Sequence, residues 1–318
     1  MYRQALRESR PSTQLLFSAL VFIICGIAAM VISIALGWLI YGINLTEMQN
    51  VIQDTSNPKS LSVLKFFQIV QSIGVFIVPP FIVAWFLNDH PSEFLQYRKK
   101  PDLKSILFVI AIILFSNPLI NLLTEINSRL SLPEWMSSVE IWMQNSENQA
   151  NQITEAFLSS KSLTTLFTNI AMIGILPAIG EELLFRGIIQ QLLKKKFGNA
   201  HAAIWISAAL FSALHMQFFG FLPRLVLGAM FGYMLEWSGT LWLPVIAHFV
   251  NNTTAVIAYY LTNLGVIGNG IDKIGTWNDG SFYIVIISST FLFVLFWGLY
   301  VQSSKFSSTA ADKTVSYF

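Results

Sequence analysis

The sequence is poor in charge and almost free of cysteine. Asp, Glu, Lys and Arg make up 11% of its 318 residues, against about 25% in an average soluble domain. With 54% hydrophobic residues and a mean hydropathy of +0.59, so few charges cannot cover a water-exposed surface of this size, and composition predicts a membrane protein. A net charge of +2, with the basic residues gathered in a few loops, gives no field for nucleic acid. The lone Cys25 excludes an internal disulfide and, in its apolar run, reads as packing. No HExxH and no GxSxG occur, so the local signatures of zinc proteases and serine hydrolases are missing. Internal repeats and paired Gly/Pro-interrupted spans are also missing, which counts against a transporter built from repeats.

What is present is a series of apolar runs. A helix needs about 20 residues to cross the hydrocarbon core. Runs of that kind fall at 15–43, 66–87, 105–124, 163–191, 200–219, 222–237, 241–261 and 282–301. They predict an all-α polytopic membrane protein of about eight transmembrane helices. The first run exceeds a signal-peptide core and lacks a small-residue cleavage site before a soluble domain, so it reads as a retained signal anchor.

Basic residues collect before the first run (Arg3, Arg7, Arg10), after the second (Arg98, Lys99, Lys100, Lys104) and after the fourth (Lys194, Lys195, Lys196). The positive-inside rule places these segments, and with them both termini, in the cytoplasm. The segments 45–62 and 125–162 are poor in Lys and Arg and are expected outside, the second with a short amphipathic helix around 135–142. Pro79-Pro80 and Asn117-Pro118 are expected to kink their helices, because proline removes a backbone donor and crowds the preceding turn.

Three polar islands interrupt the later runs. In the first, ILPAIGEELLFRG, Glu182 and Arg186 are four apart and can pair along one helix face. Glu181 points about 100° away and has no partner on its own helix. The second, FSALH, sets Phe211 and His215 four apart, and the third, HFVNN, does the same for His248 and Asn252. An ionised group at mid-bilayer costs at least ~2.5 kcal/mol and normally faces a bundle interior or a water cavity. Hydrogen-bonded glue between helices explains Glu182 with Arg186 well. It explains Glu181, His215 and His248 together poorly. His90 and His201, in or beside loops, read as solvated.

A glutamate and a histidine sharing a water can activate it as a nucleophile, and a second imidazole with a carboxamide can stabilise the oxyanion formed in amide hydrolysis. The same glutamate and two histidines, Glu181, His215 and His248, would also suit a catalytic zinc with an open fourth position. Spacing does not separate these readings. A third keeps the groups non-enzymatic, as a proton relay in a transporter or in an immunity or binding factor.

EELLFRG, FSALH and HFVNN resemble the EExxxR, FxxxH and HxxxN motifs of the CAAX protease and bacteriocin-processing (CPBP or Abi) family of intramembrane endopeptidases, which includes the CAAX prenyl endopeptidase type 2. GAMFGYMLEWSGTLWLPVIAH is similar to the family's segment before the last histidine, and the likeness extends over 163–261. The resemblance implies that Glu181 and His215 activate water, that His248 and Asn252 form the oxyanion site, and that Glu182, Arg186 and Phe211 support them. It implies an endopeptidase acting on a membrane-bound or lipidated peptide or protein, with no cofactor required and a divalent metal such as zinc as the alternative. The domain reading is a three-span region with an outer loop (1–162), a catalytic core (163–262), and a last span with cytoplasmic tail (263–318). The expected location is a bacterial inner membrane. The inward bias of the charged loops, and a site near the Ser238-Gly239-Thr240 turn, put the cavity mouth on the cytoplasmic side.

Overall fold

The computed structural model of the chain describes residues 2–44, 46–268, 270–277 and 280–315. Nine helices organise it: α1 (Pro11–Tyr41), α2 (Pro58–Leu87), α3 (Leu103–Ser128), α4 (Ser137–Leu158), α5 (Leu163–Phe197), α6 (Ala200–Leu214), α7 (Phe221–Ser238), α8 (Trp242–Asn263) and α9 (Phe282–Val315). The chain is an all-α polytopic membrane protein. Each of the eight apolar runs falls on a helix, and among the described residues six helices are long and apolar enough to cross a membrane. The two that fall short are informative. The 15 residues of α6 span about 22 Å, less than the ~30 Å hydrocarbon core. Polar positions in α8, among them His248, Asn251 and Asn252, lower its apolarity.

Helix α1 buries mostly small residues and turns large ones outward, as lipid-facing helices do. Along α1 the buried positions are Gln14, Ser18, Ala29, Ser33 and Gly37, while Leu16 and Leu39 are more than 70% exposed. That face meets α2 so closely that a Cβ on Gly74 would lie 2.3 Å from Ala29 Cβ. A central cluster joins α3, α7, α8 and α9 through Ile112, Phe231, Met234, Leu243 and Leu299. A second cluster joins α2, α5, α7 and α8 through Val83, Ile188, Leu192 and Leu235.

Both proline sites lie inside continuous helices. In α3, Asn117 Nδ2 donates to Leu114 O at 3.1 Å, the carbonyl to which Pro118 has no N–H to offer. In α2 and α5, π-helical turns at Ser72–Ile77 and Ile170–Ile175 precede Pro79-Pro80 and Pro177. A wider turn lets a ring enter without breaking the helix.

The amphipathic helix is longer than expected. A 3₁₀ turn at Glu134–Met136 leads into α4, whose 22 residues continue well past Trp142. Its second half is mostly polar but holds no Gly or Pro, so an apolar scan passes over it. Phe157 O accepts from Asn169 Nδ2 of α5 at 2.8 Å and from Lys65 Nζ of α2 at 3.4 Å, and Leu158 O accepts from Asn263 Nδ2 of α8 at 2.9 Å. These side chains satisfy carbonyls that a helix end leaves free.

Filling the α1–α2 contact tests this account. Gly74→Val should lower stability in detergent by about 1–3 kcal/mol. Gly268→Ala, where nothing lies within 4 Å of a new Cβ, should leave the melting temperature unchanged. Equal melting temperatures for the two variants would contradict the packing described.

Candidate active site

The site is built on a buried ion pair. Glu182 and Arg186 are 0% and 1% exposed, and Arg186 Nη1 donates to Glu182 Oε1 at 3.0 Å. The helix is π-wound over Leu183–Gln190, yet the predicted i, i+4 pairing is present. Arg186 Nη2 donates to Gly228 O of α7 at 2.8 Å, and the guanidinium carbon lies 4.8 Å and 5.4 Å from the ring centroids of Phe211 and Phe231. Charge, hydrogen bonds and aromatic faces together make a buried arginine tolerable.

This contact continues as a ladder between α5 and α7. Gln190 Nε2 donates to Gly232 O at 3.1 Å, and Lys194 Nζ pairs with Glu236 Oε1 at 2.6 Å. Residues 186, 190 and 194 thus meet 228, 232 and 236, each set spaced by four. Gly228 and Gly232 permit the approach, since a Cβ at Gly232 would lie 2.8 Å from both Gln190 Oε1 and Ile204 of α6. Sequence reasoning missed Gln190. Its signal was available: an uncharged amide four residues after Arg186, facing glycines that are themselves four apart.

His248 is fixed from beneath. Its Nδ1 lies 2.8 Å from Glu182 Oε1, and its ring stacks on Phe231 with centroids 5.4 Å apart. The carboxylate accepts, so Nδ1 carries hydrogen, and in the neutral ring Nε2 keeps a lone pair. His215 is fixed in the same sense, with Nδ1 2.7 Å from Phe211 O. A carbonyl can only accept, so its Nε2 is likewise free. His215 lies just past the end of α6 rather than inside a span ending at 219, because the left-handed Met216 (φ 55°) closes the helix. Phe211 therefore contacts both His215 and Arg186: its carbonyl holds the imidazole, and its ring lies edge-on to that imidazole at 4.8 Å and under the guanidinium.

Both free Nε2 atoms face Glu181. Its Oε2 is 3.8 Å from His215 Nε2 and 3.9 Å from His248 Nε2, and this buried oxygen has no hydrogen-bond partner in the protein. Three acceptors converge at separations too long for direct bonds and suited to a bridging water. Asn252 stands beside them, its Nδ2 donating to Ile173 O at 2.9 Å and its Oδ1 accepting from Asn251 at 3.1 Å. Pro177 has no N–H to return to Ile173, so the proline of the first island positions the asparagine of the third. One hydrogen of the Asn252 amide is left over.

These groups line a cavity of about 510 Å³. Its apolar wall includes Met172, Ile173, Pro177, Leu227 and Phe231, and α4 contributes Ala150, Ile153, Thr154 and Phe157. Arg224 lines it too, donating to the carbonyl and side-chain oxygens of Gln217. No lining residue comes from the Ser238–Thr240 turn, which is instead bound to Lys99. The expectation of a site near that turn is thereby corrected: a short α6 leaves its hollow at the other end of the bundle. His201 and His90 are exposed and remote from the cavity, with His201 Nδ1 2.8 Å from Tyr233 Oη.

Glu181, His215 and His248 are the residues that would hold a metal. Bonds of about 2.05 Å around tetrahedral zinc would set neighbouring ligand atoms roughly 3.3 Å apart, closer than the 3.8 and 3.9 Å found. Among the described residues, no group of three such side chains has metal-holding geometry. As placed, these atoms stand wider apart than the ligands of a tetrahedral zinc.

Removing the guanidinium tests the ion pair. Arg186→Met leaves Glu182 buried beside a single donor and should cost about 3–5 kcal/mol, read by unfolding in detergent. Adding Glu182→Gln should recover part of the loss. Additive losses would show that the two side chains are not coupled.

Residues 163–254 match the family model described as type II CAAX prenyl endopeptidase Rce1-like. A protein of Bacillus subtilis (strain 168), the uncharacterized YpbD, is 31% identical over 86 residues, which cover 26% of this chain and 41% of that protein. The match thus spans about two fifths of that relative's length. No solved structure matches the chain. Residues 163–254, the stretch that matches the Rce1-like model of type II CAAX prenyl endopeptidases, hold both glutamates, Arg186, Phe211, both site histidines and Asn252.

Proposed function

We propose that the protein is an intramembrane endopeptidase that hydrolyses a peptide bond in a membrane-bound or lipidated peptide or protein. The observation that carries this reading is the partnerless Oε2 of Glu181 facing the free Nε2 atoms of His215 and His248 inside a cavity. A buried acceptor left open in a polar hollow is the exception among protein polar groups and calls for a ligand. Water fits here: it donates one hydrogen to Glu181 Oε2 and the other to His215 Nε2.

Glu181 takes a proton as the water oxygen bonds to the substrate carbonyl carbon. The developing oxyanion accepts from the spare N–H of Asn252 and from His248 Nε2. For that bond His248 carries hydrogen on both ring nitrogens, the second taken up from solvent before the attack, and the Glu182 carboxylate at 2.8 Å is the counter-charge. The C–N bond then breaks, and Glu181 returns its proton to the leaving amine. Glu182, Arg186 and Phe211 act as positioning residues. Arg224, the one guanidinium among the lining residues, orients the peptide by its polar or anionic groups.

The location proposed is a bacterial inner membrane with both termini in the cytoplasm. Support comes from the placement of Arg7, Arg10, Arg98, Lys99, Lys100 and Lys194–Lys196 at one end of the bundle.

Detergent-purified protein should cleave a fluorogenic lipidated peptide. Glu181→Gln should reduce kcat by about 10²–10⁴-fold, the usual contribution of a general base. Asn252→Ala should reduce it by about 10²–10³-fold with little change in KM, as for other oxyanion donors. Cleavage should survive a chelator. Equal rates for wild type and Glu181→Gln would remove the catalytic assignment, and loss with chelator, paired with bound metal by elemental analysis, would make the protein a metalloenzyme. Proton-coupled uptake that Glu181→Gln abolishes would instead identify a transporter.

A further inference from the structure

We infer that the cavity opens to, and receives its polypeptide from, the membrane face opposite the basic loops, so that the substrate's scissile segment is exported or membrane-inserted from the outer side. The substrate part of this inference rests on the endopeptidase reading; the direction of opening does not.

The two ends of the bundle are distinguished by their bonds. At one end, Arg7 pairs with Asp89 at 2.5 Å, Lys99 Nζ donates to Ser238 O at 2.7 Å, Trp242 Nε1 donates to Tyr97 O at 2.8 Å, and Lys194 pairs with Glu236 at 2.6 Å. These contacts gather the N-terminal stretch, the 88–102 connection, the end of α5 and the α7–α8 turn, and with them the Arg98–Lys100 and Lys194–Lys196 clusters. At the other end, Asn127 is bonded to Phe218 and Leu222, Glu147 accepts from Phe219 N, and Asn263 donates to Leu158 O. The connections there, 129–136, 159–162, 215–220 and 264–281, contain only Arg129, Lys161 and Lys273 as cations. By the positive-inside rule the first end is cytoplasmic and the second outer.

The cavity belongs to the outer end. Its wall includes Ala150, Thr154 and Phe157 of α4, and Gln217 in the connection after α6. The cytoplasmic side is closed. Directly beyond Glu181 lie Glu182, Arg186 and Gln190, each no more than 1% exposed, and then Leu183, Ile188 and Leu192 of the second core cluster. No residue of the basic connections lines the hollow. A peptide can therefore reach Glu181 past α4 without crossing the ion-pair layer, whereas from the cytoplasm that layer bars it. The partly apolar α4 wall, with Ile153 and Phe157, suits an extended apolar segment lying at the outer membrane surface.

Cysteine accessibility tests this with the full-length chain in a bacterial inner membrane, in a Cys25→Ser background. Thr154→Cys reports the cavity wall and Lys195→Cys the basic end; both positions are exposed and outside the catalytic set. A membrane-impermeant maleimide should label Thr154→Cys at least tenfold faster than Lys195→Cys in spheroplasts, with the order reversed in inverted vesicles. Labelling of Thr154→Cys in inverted vesicles at the rate of Lys195→Cys overturns the inference, as does equal labelling from both sides. Repeating the labelling in Glu181→Gln separates the two proposals, because topology does not depend on catalysis. The fluorogenic peptide, added to each vesicle type, should be cut only when supplied from the Thr154 side; cutting only from the Lys195 side overturns the inference.

Discussion

Burial of a fixed charge in an apolar bundle is the constraint on which the rest of the structure depends. Arg186 cannot shed its proton to escape desolvation, so every neighbour must answer it: Glu182 with charge, Gly228 with a carbonyl, Phe211 and Phe231 with ring faces. Each response fixes an element. The carbonyl sets the register of α7 against α5, the glycines bring α6 close, and the shared Glu182 oxygen holds His248 and through it α8. Glu181 differs from its neighbour only in direction. One step along the helix separates a carboxylate with two donors from one with none.

Proline and the wider helical turns serve the same centre. Pro177 withholds a donor from Ile173, whose carbonyl is then held by Asn252. The short α6 ends at a left-handed Met216, leaving His215 at the rim of a hollow rather than within a wall. Amphipathic α4, fastened at its C-terminal carbonyls to α2, α5 and α8, completes the enclosure. On the proposed reading, water reaches the site without helix backbone being exposed to lipid, the condition that governs any irregular structure in a membrane.

How far the sequence could be read follows from the range of each interaction. The long helices were legible because apolar length alone predicts them, whereas the short helices Tyr2–Arg7, Met48–Gln53 and Pro91–Phe94, the polar half of α4 and the early end of α6 escaped. The Glu182–Arg186 and Phe211–His215 relations were legible because four residues along one helix fix their geometry. Gln190 was passed over because an amide in an apolar run announces nothing until the glycines opposite it are in view. The cavity's position was misread for a related reason: the Ser238–Thr240 turn is near His248 in sequence, but the imidazole faces the other end of the bundle.

The sequence by itself determined that the chain is a helical membrane protein, which residues are too costly to bury without purpose, and which of them pair within one helix. These are consequences of composition and of a 3.6-residue period, both local. Only the tertiary structure decided that Glu181 and two imidazoles from other helices leave a water-sized gap, that α4 lines the cavity, and that the ion pair seals its floor. Those outcomes depend on how α5, α6, α7 and α8 cross, and side-chain packing between helices far apart in sequence sets such crossings.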